Sequence, residues 1–219
     1  EYLLGVYKQN KINPNALKHF EKYVSSFNGK NYIKSAYMRI SWHYLLQGDL
    51  DNFKLAQANI YHYGNTIVDE DKEAEKAFKK RSQPHPQLLK SRLLFDGGYH
   101  QKALKSLKNI DNPMLFSNVK HIIEYFYRKG RIYDEMQNIS LAKENYQKTI
   151  DLGRNTNYFF AAKSALQLGI IHEKNGNNTK AIYFFKECIA MENHDYEQSL
   201  EQKAKAGLNR LKQGLSFNN

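Results

Sequence analysis

Apolar residues recur along most of this chain at the spacing of amphipathic helices, and one set of intervals returns three times. From Gly130, Gly169 and Ser91, further residues follow at successive steps of 3, 9, 4 and 3 positions. Those residues are Tyr133, Ala142, Tyr146 and Thr149; His172, Ala181, Phe185 and Cys188; and Leu94, Ala103, Leu107 and Ile110. The pattern predicts pairs of antiparallel helices, in which small residues let the helices approach and large ones fill the space between them. Because one such pair cannot bury its apolar face alone, we expect the pairs to stack into a solenoid.

Helix-breaking residues divide the rest of the chain into further predicted elements. Asn13-Pro14 is predicted to begin a helix that ends near Asn28-Gly29. The apolar stripe from Tyr32 to Leu45, followed by Gly48, predicts a second helix and its turn. Beyond residue 85 the predicted pairs are 86–96 with 99–110, 113–136 with 139–152, and 157–175 with 177–191, followed by a last helix over about 196–213.

The part of the chain before residue 86 follows the repeat pattern less well. A partner helix is predicted over about 50–63, but it carries Phe53 where the later pairs have alanine. Residues 64–85 then interrupt the pattern, and a short charged helix is predicted over 69–81, acidic at its start and basic at its end as the helix dipole prefers. We therefore divide the predicted solenoid into a degenerate hairpin part (1–85), three regular repeats (86–191) and a capping helix (192–219).

Composition agrees with a helical chain that binds something else. Of the 219 residues, 41% are hydrophobic and 28 are Tyr or Phe, which suits long seams between helices. No run of about 18 apolar residues predicts a membrane span, and no signal peptide is recognisable. The chain begins as though inside a helix and without Met, so we expect it to be a fragment, which leaves its localisation open.

Positive charge is concentrated in one region of the chain. The formal net charge is +11, and residues 79–108 hold eight Lys or Arg against the single acid Asp96. The basic residues are Lys79, Lys80, Arg81, Lys90, Arg92, Lys102, Lys105 and Lys108. Such a stretch can attract nucleic acid, anionic lipid or an acidic protein, or it can simply solubilise outward helix faces.

The order of small and aromatic residues resembles that of the tetratricopeptide repeat. The matching sets are Ala165, Leu168, Gly169, His172, Gly176, Ala181, Phe185 and Cys188; Phe126, Gly130, Tyr133, Ala142, Tyr146 and Thr149; and Leu94, Gly98, Ala103, Leu107 and Ile110. The likeness covers about 86–191, is looser over 30–63 and is slight over 1–28. Ser91 replaces the first Gly, His172 replaces a Tyr, and the closing Pro is absent. Segment 154–160 carries an insertion of five residues.

The resemblance extends to the bacterial tetratricopeptide proteins of unassigned role, through Asp71-Lys72-Glu73-Ala74 and the segment from Leu88 to Leu107. It implies an all-α, right-handed superhelical solenoid of about 10–12 helices whose first helices line a concave groove. Proteins of this family mostly bind peptides or partner helices there. The groove positions carried over are Arg92, Phe95 and Asp96; Glu124, Tyr127, Arg131, Asp134 and Glu135; and Lys163, Gln167, Glu173 and Lys174.

Two interpretations of the groove arginines remain open. Arg92 and Arg131 occupy equivalent places one repeat apart, so they could fork onto a partner's carboxylates or carbonyls. Alternatively, they form salt bridges with Asp96 and Asp134. The family's capture of a C-terminal carboxylate by a Lys and an Asn one turn apart is not expected, because the places hold Tyr127 with Arg131 and Leu88 with Arg92.

Sequence patterns of catalytic and metal sites are missing. None of the eight histidines pairs with another at i, i+4, and no His-Glu-x-x-His or Cys-x-x-Cys occurs. We expect His172 and the single Cys188 to be packing residues, and Trp42 to be a core residue. No cofactor and no metal are therefore expected, and the chain is predicted not to be an enzyme.

Three functions are compatible with these observations. The first is a non-enzymatic protein–protein interaction scaffold that holds a peptide or helix in the groove. The second is nucleic-acid binding through Lys79 to Arg81 and Lys102, Lys105 and Lys108. Against it, those last three lysines lie on a second helix, which faces the convex side in this family. The third is a self-associating structural module of a longer protein. The oligomeric state is left open.

Overall fold

The computed structural model describes residues 1–81 and 83–216, and this part of the chain contains α-helices and no strand. The twelve helices are α1 Tyr2–Asn10, α2 Ala16–Ser26, α3 Ile33–Gln47, α4 Leu50–His62, α5 Asp69–Lys79, α6 Pro86–Asp96, α7 His100–Lys108, α8 Val119–Glu135, α9 Ile139–Gly153, α10 Phe160–Lys174, α11 Asn178–Ala190 and α12 Glu197–Ser216. A single 3₁₀ turn spans Pro113–Leu115. The predicted all-α fold of about 10–12 helices is confirmed.

The helices form two compact units, Glu1–Asn109 and Ile110–Asn219. The boundary between them falls between α7 and the 3₁₀ turn, inside the segment that we predicted to hold three regular repeats. The predicted boundaries of the regular repeats, at residues 85 and 191, are a separate matter and stay a prediction. The last three residues of the predicted capping segment lie outside the described residues.

In the second unit, helix pairs stack side by side through glycines that receive aromatic rings. α8 packs on α9 and α10 packs on α11, while α9 and α10 join the pairs. A Cβ atom on Gly130 would stand 2.6 Å from the ring of Tyr146, and one on Gly169 would stand 2.5 Å from that of Phe185. Gly207 of α12 closes on the same Phe185 ring from another side. Both rings are fully buried, which is where aromatic side chains contribute most to packing.

In the first unit, the same contact appears between residues that the sequence pattern did not pair. A Cβ atom on Gly5 would lie 2.7 Å from the buried ring of Phe20, so α1 and α2 form a repeat-like pair. The spacing is one residue shorter than between Gly130 and Tyr146, which is why the likeness over 1–28 looked slight. Trp42 is buried among apolar residues of α3, α4 and α6, as expected for a core residue.

The turn in each of five helix pairs passes through one residue with left-handed backbone. These residues are Ile12, Gly48, Gly98, Gln137 and Gly176, with φ between 56° and 80°. Glycine occupies the left-handed region without steric cost, whereas Ile12 and Gln137 hold it at some expense. The turn geometry is therefore retained even where the sequence lacks the glycine that predicts it.

The charged segment that interrupts the repeats is a docked helix. As predicted, α5 is acidic in its first turn and basic in its last. Its buried Asp71 accepts hydrogen bonds from the backbone N–H groups of Tyr32 (2.6 Å) and Ser35 (2.9 Å), at the start of α3. Buried Lys34 donates to the Ile60 carbonyl at 2.6 Å. Asp71 thus supplies the acceptors that the first turn of α3 lacks.

Three predicted helix boundaries were wrong. The helix predicted over 113–136 is two elements, because Asn112 and Asn118 each cap a separate start, accepting from the N–H groups of Met114 and Lys120. Asn13 does accept from the Asn15 N–H group, as a capping residue does, but the Ala16 and Leu17 N–H groups bond to carbonyls only three residues back, so the α-helix itself begins at Ala16. The last helix begins at Glu197 and continues to Ser216. Within the described residues, no helix has both the length and the apolar character that a membrane span needs.

Candidate partner-binding site

Three basic side chains from different helices lie close together in the second unit. α10 packs against both α8 and α12, and each of these helices contributes one of them: Arg131 from α8, Lys163 from α10 and Lys203 from α12. Burial, followed by the positive charges of Lys203 and Arg131, lowers the pKa of the Lys163 ammonium. We call these three residues the basic strip. The fold holds like charges together here, which favours an anionic partner.

Lys203 is the member of the basic strip that sequence reasoning missed. It lies on the helix that was predicted to cap the repeats, and its side chain is exposed. Its proximity to Lys163 depends on how α12 packs against α10, which no local spacing reveals. Gly207, Leu208 and Leu211 are the sequence signal for that packing, but they do not indicate which lysine of the helix lies nearest to α10.

Several predicted groove residues are engaged inside the protein. Glu124 and Tyr127 are only 6% and 4% exposed, and Glu124 pairs with the buried Arg128 one turn further along α8. The Tyr127 ring lies beneath the Arg131 guanidinium at 5.8 Å. These two residues therefore support the helix surface from below. Their direct contact with a partner stays a prediction that their burial does not favour.

Two further predicted acids hold helices together. Asp134 accepts a hydrogen bond from the buried Tyr146 hydroxyl at 3.2 Å, and burial raises the pKa of its carboxyl group. Glu173 receives both arms of the Arg210 guanidinium, at 2.9 and 2.8 Å, which ties α12 to α10. Gln167 is half-buried on α10, one turn after Lys163. Of the other predicted residues in this unit, Arg131, Lys163 and Gln167 are partly exposed, and Glu135 and Lys174 are exposed.

In the first unit, Arg92 forms the salt bridge with Asp96 that we left open as an alternative to partner binding. Arg92 and Asp96 are both exposed on α6 and form an ion pair of 3.6 Å. The Arg92 guanidinium also lies 5.2 Å from the Trp42 ring. An exposed ion pair of this kind contributes little to stability, so Asp96 does not prevent Arg92 from exchanging partners.

The residues considered for chemistry take packing roles. His172 is buried and stacks on Phe184 with a ring separation of 5.5 Å. Cys188 is buried, and desolvation raises the pKa of its thiol to about 11, so it stays protonated at neutral pH. Over residues 1–81 and 83–216, no group of three or more His, Cys, Asp or Glu could hold a metal ion.

The basic residues of segment 79–108 are dispersed over several surroundings. Lys79 pairs with Glu75 at 2.8 Å, within α5. Lys102, Lys105 and Lys108 are exposed on α7, where the Lys102 ammonium lies 5.4 Å from the Tyr99 ring. This arrangement is typical of a solvated helix face.

A family model described as tetratricopeptide repeat matches residues 123–155 and 162–195. These ranges contain nearly all of the α8–α9 and α10–α11 pairs, whose glycines meet the Tyr146 and Phe185 rings. The chain therefore contains two tetratricopeptide repeats. A comparison with curated proteins found no match. Tetratricopeptide repeats generally mediate protein–protein interaction and are typically non-catalytic, which is the class of function that the family supports here.

Proposed function

We propose that this tetratricopeptide-repeat protein is a non-enzymatic interaction scaffold that holds an acidic peptide segment on its second unit. The observation that carries the proposal is the basic strip, in which the packing of α8 and α12 against α10 brings the charges of Arg131 and Lys203 near enough to act on Lys163. A partner with carboxylates at matching positions would relieve the repulsion among these groups.

Each residue of the strip would have its own role. Arg131 presents a planar guanidinium supported by the Tyr127 ring, and it can grip a carboxylate through two parallel hydrogen bonds. Lys163 is partly buried, so its ammonium contributes more per contact than the exposed Lys203 does. Gln167 can donate to and accept from a peptide backbone, which would set the direction of the bound segment.

The proposal can be tested with one synthetic peptide pair. The probe is a fluorescein-labelled peptide of three Asp-Leu-Glu-Ala repeats, and its counterpart has Asn and Gln in place of the acids. We expect fluorescence anisotropy to show binding of the acidic peptide that weakens as salt rises. The Arg131→Gln/Lys203→Gln variant should bind about tenfold more weakly, which corresponds to about 1.4 kcal/mol.

Two controls separate a site from general charge attraction. Lys105→Gln/Lys108→Gln removes the same charge from α7 and should leave peptide affinity unchanged. Lys163→Met should weaken binding while stabilising the fold by about 0.5 kcal/mol, because it removes a like-charge contact but keeps an apolar stem. Equal binding of the amide peptide, or equal losses in both double variants, would overturn the proposal.

The same variants also test the two alternative functions, nucleic-acid binding and self-association. Binding of single-stranded RNA or DNA that is stronger than peptide binding, and that is lost in the α7 variant, would indicate a nucleic-acid-binding protein. A concentration-dependent increase in mass by light scattering, without peptide binding, would indicate a self-associating module.

A further inference from the structure

The second unit contains an open pocket that the proposed peptide site does not use. Its volume is about 570 Å³, and it lies between α9 and α11 with α10 as its floor. The residues that define its chemistry are Lys143, Leu168, His172, Lys180, Tyr183 and Phe184. This volume is within the range of about 300–1,000 Å³ that is typical of small-molecule sites.

The pocket and the basic strip lie on different faces of α10. Lys163 and His172 are nine positions apart, and at about 100° per residue their side chains leave the helix about half a turn apart. The two sites share no residue, so a molecule in the pocket would leave Arg131, Lys163 and Lys203 open to a peptide.

The walls of the pocket are flat and apolar. The rings of His172 and Phe184 are parallel within 8°, with their centroids 5.5 Å apart. Tyr183 meets Phe184 edge to face at 5.0 Å, and its side chain is 53% exposed. Leu168 is buried beneath these residues. Exposed aromatic surface beside a stacked pair favours a planar apolar group, because ring contacts add to the burial of area.

Positive charge stands at the edge of this apolar surface. Lys143 on α9 and Lys180 on α11 both lie near His172, and after burial they are the causes of the lowered pKa of its imidazole. Throughout the described residues, neither ammonium forms an ion pair with a carboxylate. Among the residues that the structure describes, one acid is bonded to a pocket residue: Asp151 accepts from the Gln147 amide at 2.8 Å. The opening therefore offers two cationic groups to an incoming anion.

We propose that this pocket is a binding site for a small molecule with a flat apolar body and a carboxylate. The body would lie against Tyr183 and Phe184, and the carboxylate would accept hydrogen bonds from Lys143 and Lys180. The inference does not depend on the proposed peptide site, because the two sites use different residues and different ligand classes.

The test uses the full 219-residue chain, with 2-naphthoate as the probe and 2-naphthylmethanol as its neutral counterpart. Titration followed by NMR should show naphthoate shifting the His172 and Phe184 signals, with a Kd at least about fivefold lower than that of the alcohol. The bound anion should also raise the pKa of His172, since it neutralises the two ammonium groups that lower it.

Matched variants locate the binding. Lys143→Gln/Lys180→Gln should reduce naphthoate affinity about fivefold and bring it to the level of the alcohol. Lys54→Gln/Lys90→Gln removes two exposed lysines of the first unit and should change nothing. Circular dichroism of each variant confirms that it is folded.

Three results would overturn the inference. The first is equal binding of naphthoate and the alcohol, and the second is an unchanged pKa of His172 at saturation. The third is displacement of naphthoate by the acidic peptide used above, which would show a single peptide site instead of two. Failure of peptide binding with naphthoate binding intact would overturn only the proposed scaffold function.

Discussion

The α10–α11 and α6–α7 pairs solve the same packing problem with different residues. In α10–α11, Gly169 leaves room for the ring of Phe185, whose atoms lie 2.5 Å from where a Cβ would stand. In α6–α7 the corresponding places hold Ser91 and Leu107, both fully buried. The Ser91 hydroxyl group donates to the Ala103 carbonyl at 3.2 Å, so its polar atom is satisfied.

This difference shows that close packing between two helices depends on the combined size of the two facing residues. Neither residue alone is required. A slightly larger residue on one helix is accommodated by a smaller one on the other, because interiors are packed to a nearly constant density. The same trade explains why the family model matches the glycine-containing pairs while α6–α7 lies outside its matched ranges.

The largest effect is expected when one residue of the Gly169–Phe185 pair is substituted and the other is kept. Gly169→Ser should destabilise the protein by about 2–3 kcal/mol, because its Cβ would overlap the Phe185 ring on a helix that cannot retreat. Urea unfolding followed by circular dichroism measures this change. Phe185 also packs against Gly207, so the strain reaches α12 as well.

Restoring the pair should recover part of the loss. Gly169→Ser/Phe185→Leu reproduces the Ser91–Leu107 combination, and we expect it to be about 1 kcal/mol more stable than the sum of the single changes. Additive effects would contradict the idea that the seam is specified by pairs. Ser140→Gly, on the exposed start of α9, measures the difference between serine and glycine in a helix where no ring is contacted.

A smaller loss is expected at the helix that interrupts the repeats in the first unit. Asp71→Ala should cost about 2 kcal/mol, because the N–H groups of Tyr32 and Ser35 would lose their acceptor in a buried place. Asp69→Ala, which removes only an exposed ion pair to Lys72, should cost less than about 0.5 kcal/mol. Similar losses in both variants would mean that Asp71 does not anchor α5.

The pH dependence of Asp71 has a definite sign. Burial raises the pKa of this carboxyl above its ordinary value of 3.8, so the folded state binds the proton more tightly than the unfolded state does. The stability of the protein relative to the Asp71→Asn variant should therefore be greatest in acid and decrease as pH rises through the raised pKa. Urea unfolding of both proteins at acidic and at neutral pH measures this difference in the free energy of unfolding.

The smallest effects are expected at the left-handed turn positions, where glycine and a residue with a side chain can be exchanged. Nothing lies within 4 Å of a Cβ on Gly176, so Gly176→Ala should cost about 1 kcal/mol through left-handed backbone alone. Gln137→Gly, at the corresponding turn of α8–α9, should stabilise by about 0.5 kcal/mol. Thermal unfolding measures both changes. A stabilising Gly176→Ala or a destabilising Gln137→Gly would contradict the equivalence of these turns.

The sequence by itself determined the helical class and most of the repeats. Periodicity of 3.6 residues and the recurring small and large positions depend only on neighbours along a helix, so α9, α10 and α11 were predictable to within a few residues. Where a local side-chain cap overrides the pattern, as Asn118 does, the predicted boundary failed. The Gly5–Phe20 contact was not predicted because the interval between these two residues is one position shorter than that between Gly130 and Tyr146.

Only the tertiary structure decided which polar residues are available. Glu124, Tyr127 and Glu173 satisfied the groove pattern, yet packing buries two of them and pairs the third with Arg210. Lys203 was not among the predicted groove residues, and its charge acts on Lys163 because α12 packs on α10. The physical reason is that a helical pattern fixes the face on which a residue lies, whereas burial and charge–charge contact depend on the distance between helices that are remote in sequence.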